Sequence, residues 1–535
     1  MNTKQLKAKV LDLAIHGKLL SSETIAELKK SPDYETADVL LEKIRKEKEE
    51  KIAKGELKRD KKDSYIFVGD DKRHYEKFAD GTITDVEDEL TFEVPEGWSI
   101  IHLQHIGNFQ GGQTPKSDET TDEGTIPYFK VSDMNVPGNE HYMNKVSLYL
   151  RDSAKYKVFP PDSIIYPKNG GAVFTNKKRI LTVNSLIDLN TGAYIPSNLV
   201  DNKYAYYLFS TIDFNKFYKG TSVPTVDHDS ICELFFGLPP LVEQKEIVKQ
   251  LSEVFKNIDI VEEDKSILLE TVSKAKSKIL DLAIHGKLVP QDPNDEPASV
   301  LLEKLRAEKE EKIAKSELKR DKNDSYIYKG SDNCYYQRFA DGSEEQAEIT
   351  YEIPPNWVWC SLGEISTKLK RGKSPTYTKK SSIMAFAQKC NQKEGPTTLE
   401  KALYIDESTL KKYPDEEKMQ FNDIVINSTG TGTLGRVGVF NCKVPDDVVA
   451  VYPDSHVSSV RINSLLYAKY FYYFVKNKQS YLEEMGEGST NQKELKIDTI
   501  ANLIVPLPPL DEQKRIVEKI ENAFAKLDSI AKQLE

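Results

Sequence analysis

The chain repeats itself, and the repeat is out of phase with its own ends. Leu11-Asp-Leu-Ala-Ile-His16-Gly17-Lys18-Leu19 returns as Leu280-Asp-Leu-Ala-Ile-His285-Gly286-Lys287-Leu288. Lys48 to Lys54 returns at Lys309 to Lys315, Asp63-Ser-Tyr-Ile66 at Asp324 to Ile327, and Phe78-Ala-Asp-Gly81 at Phe339 to Gly342. Val94-Pro95…Trp98 matches Ile353-Pro354…Trp357, and Leu238-Pro-Pro-Leu241 with Glu243-Gln-Lys245 matches Leu507-Pro-Pro-Leu510 with Glu512-Gln-Lys514. Self-similarity of this kind means one structural plan used twice. The last helix, 510–535, copies only the first half of the stretch 241–285, and the first helix, about 2–16, copies only its second half. Laid end to end, the two terminal pieces make a second copy of the central one. The expectation is a pseudo-twofold molecule with a circular arrangement of repeats, its split strut packed antiparallel to the intact one.

The central stretch is the longest element this plan allows. Leu238-Pro239-Pro240 cannot lie inside a helix, His285-Gly286 is a usual helix stop, and no Gly or Pro stands between Leu241 and His285. A continuous helix there would be on the order of 65–70 Å long. Its apolar residues keep a seven-residue repeat through Val248, Leu251, Phe255, Ile258, Leu269, Val272, Ile279 and Ala283, interrupted by Glu262, Lys265 and Lys276. The C-terminal helix repeats the seam with Val517, Ile520, Phe524, Leu527 and Ala531. This pattern predicts a coiled-coil strut with a weak middle, whose seam is the candidate strut and partner interface. His16 and His285 fall at helix C-termini, where capping is a sufficient role. Charged helical arms are expected over Leu40–Lys62 and Leu301–Lys322, with Glu and Lys mixed at i,i+4 spacing as on a solvated face. Lys58-Arg59-Asp60-Lys61-Lys62 could touch DNA or a partner, but the solvated face is the better reading. Asp80-Gly81 and Asp341-Gly342 read as tight turns.

Composition narrows the class. The chain has 535 residues and a net charge of −10, which argues weakly against non-specific coating of nucleic acid but not against a local basic face. No apolar run approaches a membrane span and the N-terminus has no signal-peptide core, so no membrane partner is expected. Cys232, Cys334, Cys360, Cys390 and Cys442 are scattered without CxxC spacing. That fits a reducing cytoplasm and gives no zinc site; no metal is expected.

Two dissimilar units, about 90–236 and 346–506, lie between the repeated segments. Both read as mixed strand and helix. Ser163–Tyr166, Arg179–Val183, Asp423–Asn427 and Arg436–Phe440 are strand candidates. Tyr204–Phe209 and Tyr467–Phe474 are aromatic-rich helices, more fitting for core than for base stacking. The fold class is therefore α+β, two mixed α/β domains separated by long helices.

Three loop types recur in these units. Gly111-Gly112-Gln113-Thr114-Pro115-Lys116 corresponds to Lys370-Arg371-Gly372-Lys373-Ser374-Pro375. Lys168-Asn169-Gly170-Gly171, with Lys177-Lys178-Arg179 behind it, corresponds to Ser428-Thr429-Gly430-Thr431-Gly432 with Arg436. Lys219-Gly220-Thr221-Ser222 corresponds to Gly488-Ser489-Thr490-Asn491-Gln492. Each combines Gly with a hydroxyl, an amide or a cation, the groups that meet phosphates and base edges. One such loop is usually only a turn; three at equivalent places favour a binding surface. Gly430-Thr-Gly432-Thr-Leu-Gly435 formally matches GxGxxG, but a strand, not a helix, is expected after it, so a glycine-rich hairpin tip fits better than a dinucleotide loop. There is no Asn/Asp-Pro-Pro-Tyr/Phe, no Walker A, no HExxH and no GxSxG. Asp227-His228-Asp229 has no counterpart in Lys496-Ile497-Asp498 and reads as a surface turn. No catalytic residue is expected.

The paired Leu-Pro-Pro-Leu-x-Glu-Gln-Lys starts, the His-Gly stops, the circular repeat and the two unlike inserted units together resemble the specificity subunit of Type I restriction-modification enzymes, over essentially the whole chain. The resemblance implies a non-catalytic subunit whose two variable units, 90–236 and 346–506, are target recognition domains. Each would read one half of a bipartite asymmetric site in double-stranded DNA. The conserved segments 1–89, 237–345 and 507–535 would fix the spacer and dock two methyltransferase subunits. Those partners would carry S-adenosylmethionine, and restriction subunits would bring ATP and Mg; this chain would bind no cofactor. The competing readings are a self-contained DNA methyltransferase and a coiled-coil adaptor without DNA contact. One departure is the extra segment Ser21–Ala37, to which the sequence assigns no role.

Overall fold

The computed structural model describes residues 2–55, 59, 63–151, 155–316, 324–393, 396–430, 432–488 and 493–534. The chain divides into two compact units, Met1–Asp264 and Lys265–Glu535. The long helix is continuous over Leu241–Ile284, as the Gly- and Pro-free stretch requires.

In the first unit, the helix Thr3–Ile15 starts on an Asn2 cap that accepts the Lys4 N–H at 2.9 Å. Thr3 bonds Glu262, and Lys7 pairs with Asp259 beside the Phe255 ring. Val248, Leu251 and Ile258 are buried and Phe255 is half-buried against the core. His16 closes the first helix by bonding the Asp12 carbonyl at 2.8 Å. Gly17 then takes φ +67°, and a Cβ there would stand 2.2 Å from Cγ of Pro95. The extra segment supplies a short helix, Ser22–Leu28, whose Ile25 and Leu28 pack on the core.

The part of the charged arm beyond Gly55 lies mostly outside the described residues. The helix covers Ala37–Ala53, and Gly55 takes φ +74°. A three-stranded antiparallel meander follows: Ser64–Val68, His74–Phe78 and Ile83–Asp85. The Asp80-Gly81 turn joins its last two strands, with Asp80 accepting the Thr82 N–H at 2.9 Å. Of the basic cluster, Arg59 pairs with Glu49, while Lys58, Lys61 and Lys62 lie outside the described residues. The meander faces the arm helix through Lys48–Asp63 at 2.6 Å and through Arg45 stacked 3.9 Å over Tyr65.

The inserted domain opens and closes through one pair of strands, Ser99–Ile101 against Phe236–Leu238. Just before the first, Trp98 donates its indole N–H to Glu243 at 2.7 Å. Just after the second, Gln244 donates to the Pro239 carbonyl and accepts from the Asp201 N–H at 2.8 and 2.9 Å. The repeated Pro-Pro-Leu-x-Glu-Gln motif is thus a joint between long helix and inserted domain. The main sheet runs in the order Gly107–Gly111, Thr191–Pro196, Ile164–Pro167, Arg179–Leu181, Tyr142–Met143. Tyr128–Phe129 and Leu186–Ile187 form a separate parallel pair. The helix Asn202–Ser210 buries Tyr204 and Phe209 in the core, as its aromatic spacing predicts, and turns Tyr207 edge-on to Phe255.

The second unit follows the same plan. Val272 is buried, Leu269 and Ile279 are half-buried, and in the helix Leu510–Leu534 Val517 and Ile520 are buried while Phe524 and Leu527 are half-buried. Lys276 pairs with Asp528 and lies over Phe524. The arm helix is Ala298–Ala314, the meander is Ser325–Lys329, Tyr335–Phe339 and Glu344–Gln346, and the joint strands are Val358–Ser361 and Ile504–Leu507. Trp357 donates to Glu512 at 2.9 Å, and Gln513 bonds Pro508 and Tyr467 as Gln244 bonds Pro239 and Asp201. The sheet order is Ser366–Arg371, Val457–Ile462, Ile424–Asn427, Val437–Val439, which matches the first four strands of the first domain's sheet without the fifth, parallel strand. The parallel pair recurs as Ile383–Phe386 against Ala450–Pro453. The helix Ala468–Asn477 buries Tyr470, Phe471 and Phe474.

Candidate nucleic-acid interface

In the first inserted domain the three recurring loops meet. The first leaves the sheet edge at Gly111. Gly112 donates its N–H to the Thr191 carbonyl at 3.1 Å and Gln113 to that of Ile187 at 2.9 Å. A Cβ on Gly112 would stand 2.2 Å from the Asp188 carbonyl oxygen, so only glycine admits this approach. The second loop lies alongside: a Cβ on Gly111 would be 3.0 Å from the Lys168 ammonium. Lys168 donates its backbone N–H to the Asn190 carbonyl at 2.7 Å. Asn169 bridges to Thr225, and Gly170 donates to the Pro224 carbonyl at 2.7 Å, which ties in the third loop. That loop is the tip of the hairpin Tyr218–Lys219 against Thr225–Val226, with Thr221 and Ser222 exposed.

Among the described residues, the second inserted domain repeats the first two loops of this geometry and the backbone ties to the segment behind the third. Gly372 donates to the Val457 carbonyl at 2.9 Å, and a Cβ there would stand 2.1 Å from the Pro453 carbonyl oxygen. Thr429 bridges to Glu494 as Asn169 bridges to Thr225. Leu495 donates to the Ser428 carbonyl at 2.9 Å, as Val226 does to Lys168. The glycine-rich stretch is a hairpin tip between Ile424–Asn427 and Val437–Val439, with Gly430, Gly432 and Gly435 at φ +107°, +74° and +74°. Thr431, Ser489, Thr490, Asn491 and Gln492 lie outside the described residues.

The cations of the two clusters are held differently. Lys116 is exposed, and Lys177 reaches the Asn135 side chain. Lys219 pairs with Asp227 at 2.7 Å, which raises its pKa. Lys370 stands 3.8 Å and Lys373 2.9 Å from Glu417, and Arg371 donates to the Ser455 carbonyl and pairs with Glu494. Arg436 bonds the Asn391 carbonyl at 3.0 Å.

Four sequence-based expectations are corrected here. Lys178 is buried: its ammonium bonds the Ile212 carbonyl and Asn176, lies 4.1 Å from the Phe214 ring centre, and is pulled down to about 7 by burial. Arg179 points inward to the carbonyls of Lys178 and Met134 at 2.8 and 3.4 Å, and Ser428 is buried against Ser458. Asp227-His228-Asp229 is not a surface turn. Asp227 is the buried cap of the short helix His228–Cys232, and His228 bonds the buried Tyr166 hydroxyl at 2.6 Å.

Sequence reasoning missed one part of each cluster. The turn Asp188-Leu-Asn-Thr191, closed by Thr191 on Asp188, sits between the first two loops. Leu189 donates its N–H to the Thr114 hydroxyl at 3.2 Å, and its carbonyl accepts from Asn169 at 3.5 Å. The equivalent turn is Asp454-Ser-His-Val457. There Ser455 bonds the Ser374 hydroxyl at 2.9 Å, and His456 bonds the Thr429 hydroxyl at 2.5 Å. The two turns share only their aspartate, so no repeat signal marked them; turn composition alone could have.

Among the described residues, no group of three or more His, Cys, Asp and Glu is placed to hold a metal, and no helix is long and apolar enough to cross a membrane. The family model described as the Type I restriction modification DNA specificity domain matches residues 95–271 and 354–535. The chain is 23% identical to the Type I restriction enzyme EcoEI specificity subunit of Escherichia coli, over 99% of this chain and 91% of that one. It is 24% identical to the EcoAI specificity subunit of Escherichia coli, over 79% of this chain and 72% of that one. A solved structure from work on complex assembly and conformational transition of the type I R-M system superposes with a TM-score of 0.54 at 16% identity, covering 83% of this chain and 94% of its own, a likeness of fold. With the family model matching more than half of the sequence, and matching it twice, the chain belongs to the Type I restriction-modification DNA specificity family.

Proposed function

We propose that this chain is the non-catalytic subunit that selects the DNA sequence for a Type I restriction-modification complex. The domains 90–236 and 346–506 each read one half of a bipartite asymmetric site in double-stranded DNA. The observation that carries this reading is that the first two loops and the turn between them recur in two domains whose loop sequences differ, with Gly112 and Gly372 each pressed against a backbone carbonyl where no larger residue fits. Equivalent architecture with unlike side chains suits two readers of unlike half-sites. The candidate contacts are Gly111, Gly112, Gln113, Thr114, Lys116, Lys168, Asn169, Lys177, Lys219, Thr221 and Ser222 in the first domain. In the second they are Lys370, Arg371, Lys373, Ser374, Thr429, Thr431, Arg436 and Ser489–Gln492.

In this reading the segments 1–89, 237–345 and 507–535 form the frame. The terminal helices pair antiparallel with the long helix in a coiled coil, give the chain its pseudo-twofold plan, set the spacer between half-sites and dock two methyltransferase subunits. Contacts of Thr3 with Glu262, Lys7 with Asp259 and Lys276 with Asp528 support that pairing. S-adenosylmethionine belongs to the methyltransferase partners, and ATP and Mg to restriction subunits. Several cations of the second cluster already face carboxylates, which supports partner subunits supplying much of the phosphate contact. Such a complex works on DNA in the cytoplasm.

The test is to co-express the chain with its neighbouring methyltransferase subunit and map methylated adenines. The expected result is one bipartite asymmetric motif, lost when this chain is omitted and changed in one half only when 90–236 is replaced by the corresponding domain of a relative. Retention of both original halves after the exchange would refute the reading.

A further inference from the structure

Leu189 is a large apolar side chain 52% exposed at the centre of a polar loop cluster. A single exposed leucine is ordinary. This one is held in place. Its backbone is tied to Thr114 on one side and Asn169 on the other, one residue from each of the two loops it separates. The turn that carries it is locked by buried groups: Thr191 donates both its N–H and its hydroxyl to Asp188. A fixed backbone presents the side chain outward with little loss of freedom on binding. At the equivalent turn of the second domain the tip is Ser455-His456, a hydroxyl and an imidazole tied to Ser374 and Thr429. The same scaffold therefore offers a leucine beside an asparagine (Leu189-Asn190) in one domain and a serine beside a histidine in the other.

In the major groove each base pair shows a pattern of donors and acceptors, and thymine alone adds a methyl group. An apolar side chain flanked by a threonine hydroxyl and an asparagine amide is suited to that pattern: the leucine to the methyl, the polar neighbours to adjoining base edges. We infer that Leu189 is a specificity-determining residue of the first recognition domain and contacts the 5-methyl group of a thymine in its half-site. This rests on the reading of 90–236 as a recognition domain.

The test uses the complex reconstituted with its methyltransferase partner, whose motif and first-domain half-site are fixed by the domain exchange above. Each thymine of that half-site, on either strand, is replaced in turn by deoxyuridine, which removes only the methyl. The expected result is that one replacement weakens binding about four- to tenfold, the worth of one buried methyl-sized group. Leu189→Ala should bind thymine and deoxyuridine duplexes equally, while Leu189→Met keeps the preference and reports that the variant turn still folds. Deoxyuridine replacements in the other half-site should respond to neither variant. A half-site without thymine, an indifferent response to every replacement, or a preference undiminished in Leu189→Ala would each overturn the inference while leaving the recognition reading intact. A reconstituted complex that methylates no bipartite site would overturn both.

Discussion

Trp98 donates its indole N–H to the buried carboxylate of Glu243, and 259 residues further on Trp357 makes the same bond to Glu512. Each bond joins the residue that opens an inserted domain to the first turn of the helix that follows its close. Burial raises the pKa of both carboxyls despite the indole bond. A carboxyl whose pKa is higher folded than unfolded contributes most below the unfolded value, about 4.3, and less as pH rises through the folded one. The double variant Glu243→Gln/Glu512→Gln keeps an oxygen to accept from each indole. It should flatten the fall in unfolding temperature as pH rises above about 4.3. Glu243→Ala, which orphans the Trp98 N–H, should cost about 1–3 kcal/mol, read by denaturant unfolding.

Lys178 carries the opposite sign. An ammonium held at about 7, against an unfolded value near 10.4, leaves the folded chain with fewer protons than the unfolded chain between those limits. The stability of the first unit should therefore rise from pH 7 toward pH 9.5. Lys178→Met should abolish most of that rise in thermal unfolding and leave half-site choice unchanged. Lys168→Ala, at the loop cluster, should weaken DNA binding and lower its salt dependence by about one ion.

Gly112 and Gly372 test the loop clusters directly. A Cβ at either would sit about 2 Å from a backbone carbonyl oxygen, so the first loop and the turn it touches must separate. Gly112→Ala and Gly372→Ala should each weaken binding of the reconstituted complex to its own site by tenfold or more. Competition against non-specific DNA should show the loss in the specific component. Equal loss of specific and non-specific binding would point to a fold defect instead.

Inserting one helical turn within 260–268 should lengthen the preferred spacer. A turn adds about 5.4 Å, or one to two base pairs at about 3.4 Å each. The motif recovered from methylation mapping reads the change, and an unchanged spacer would remove the helix from any role as a ruler.

Much of the frame was legible in the chain. The ends of the long helix follow from Pro239-Pro240 and His285-Gly286, and the aromatic helices from the spacing of Tyr204 to Phe209 and Tyr470 to Phe474. The meanders were not legible. Strands such as His74-Tyr-Glu-Lys-Phe78 carry charge on the face that packs, with Glu76 buried beside His102, so no apolar alternation marks them. At the loop clusters, composition located the glycines and the small polar groups, but side-chain direction depends on distant partners. Lys178 turns inward because the Ile212 carbonyl and the Phe214 ring, more than thirty residues away in sequence, wait for it. Leu189 was invisible for the converse reason, since an apolar residue in a turn carries no signal until its neighbours are known.

The contact of Gly17 with Pro95, repeated by Gly286 with Pro354, has a consequence for descent. A Cβ on either glycine would overlap the proline ring, with Cγ at 2.2 and 2.4 Å. Neither glycine can be exchanged while its proline stays, and φ of +67° and +65° deters replacement even if the proline goes. The two positions should thus vary as a unit across relatives: lineages that lose the proline are the ones in which the glycine is free to drift, and the drift should favour Asn or Asp, the residues best suited to that backbone.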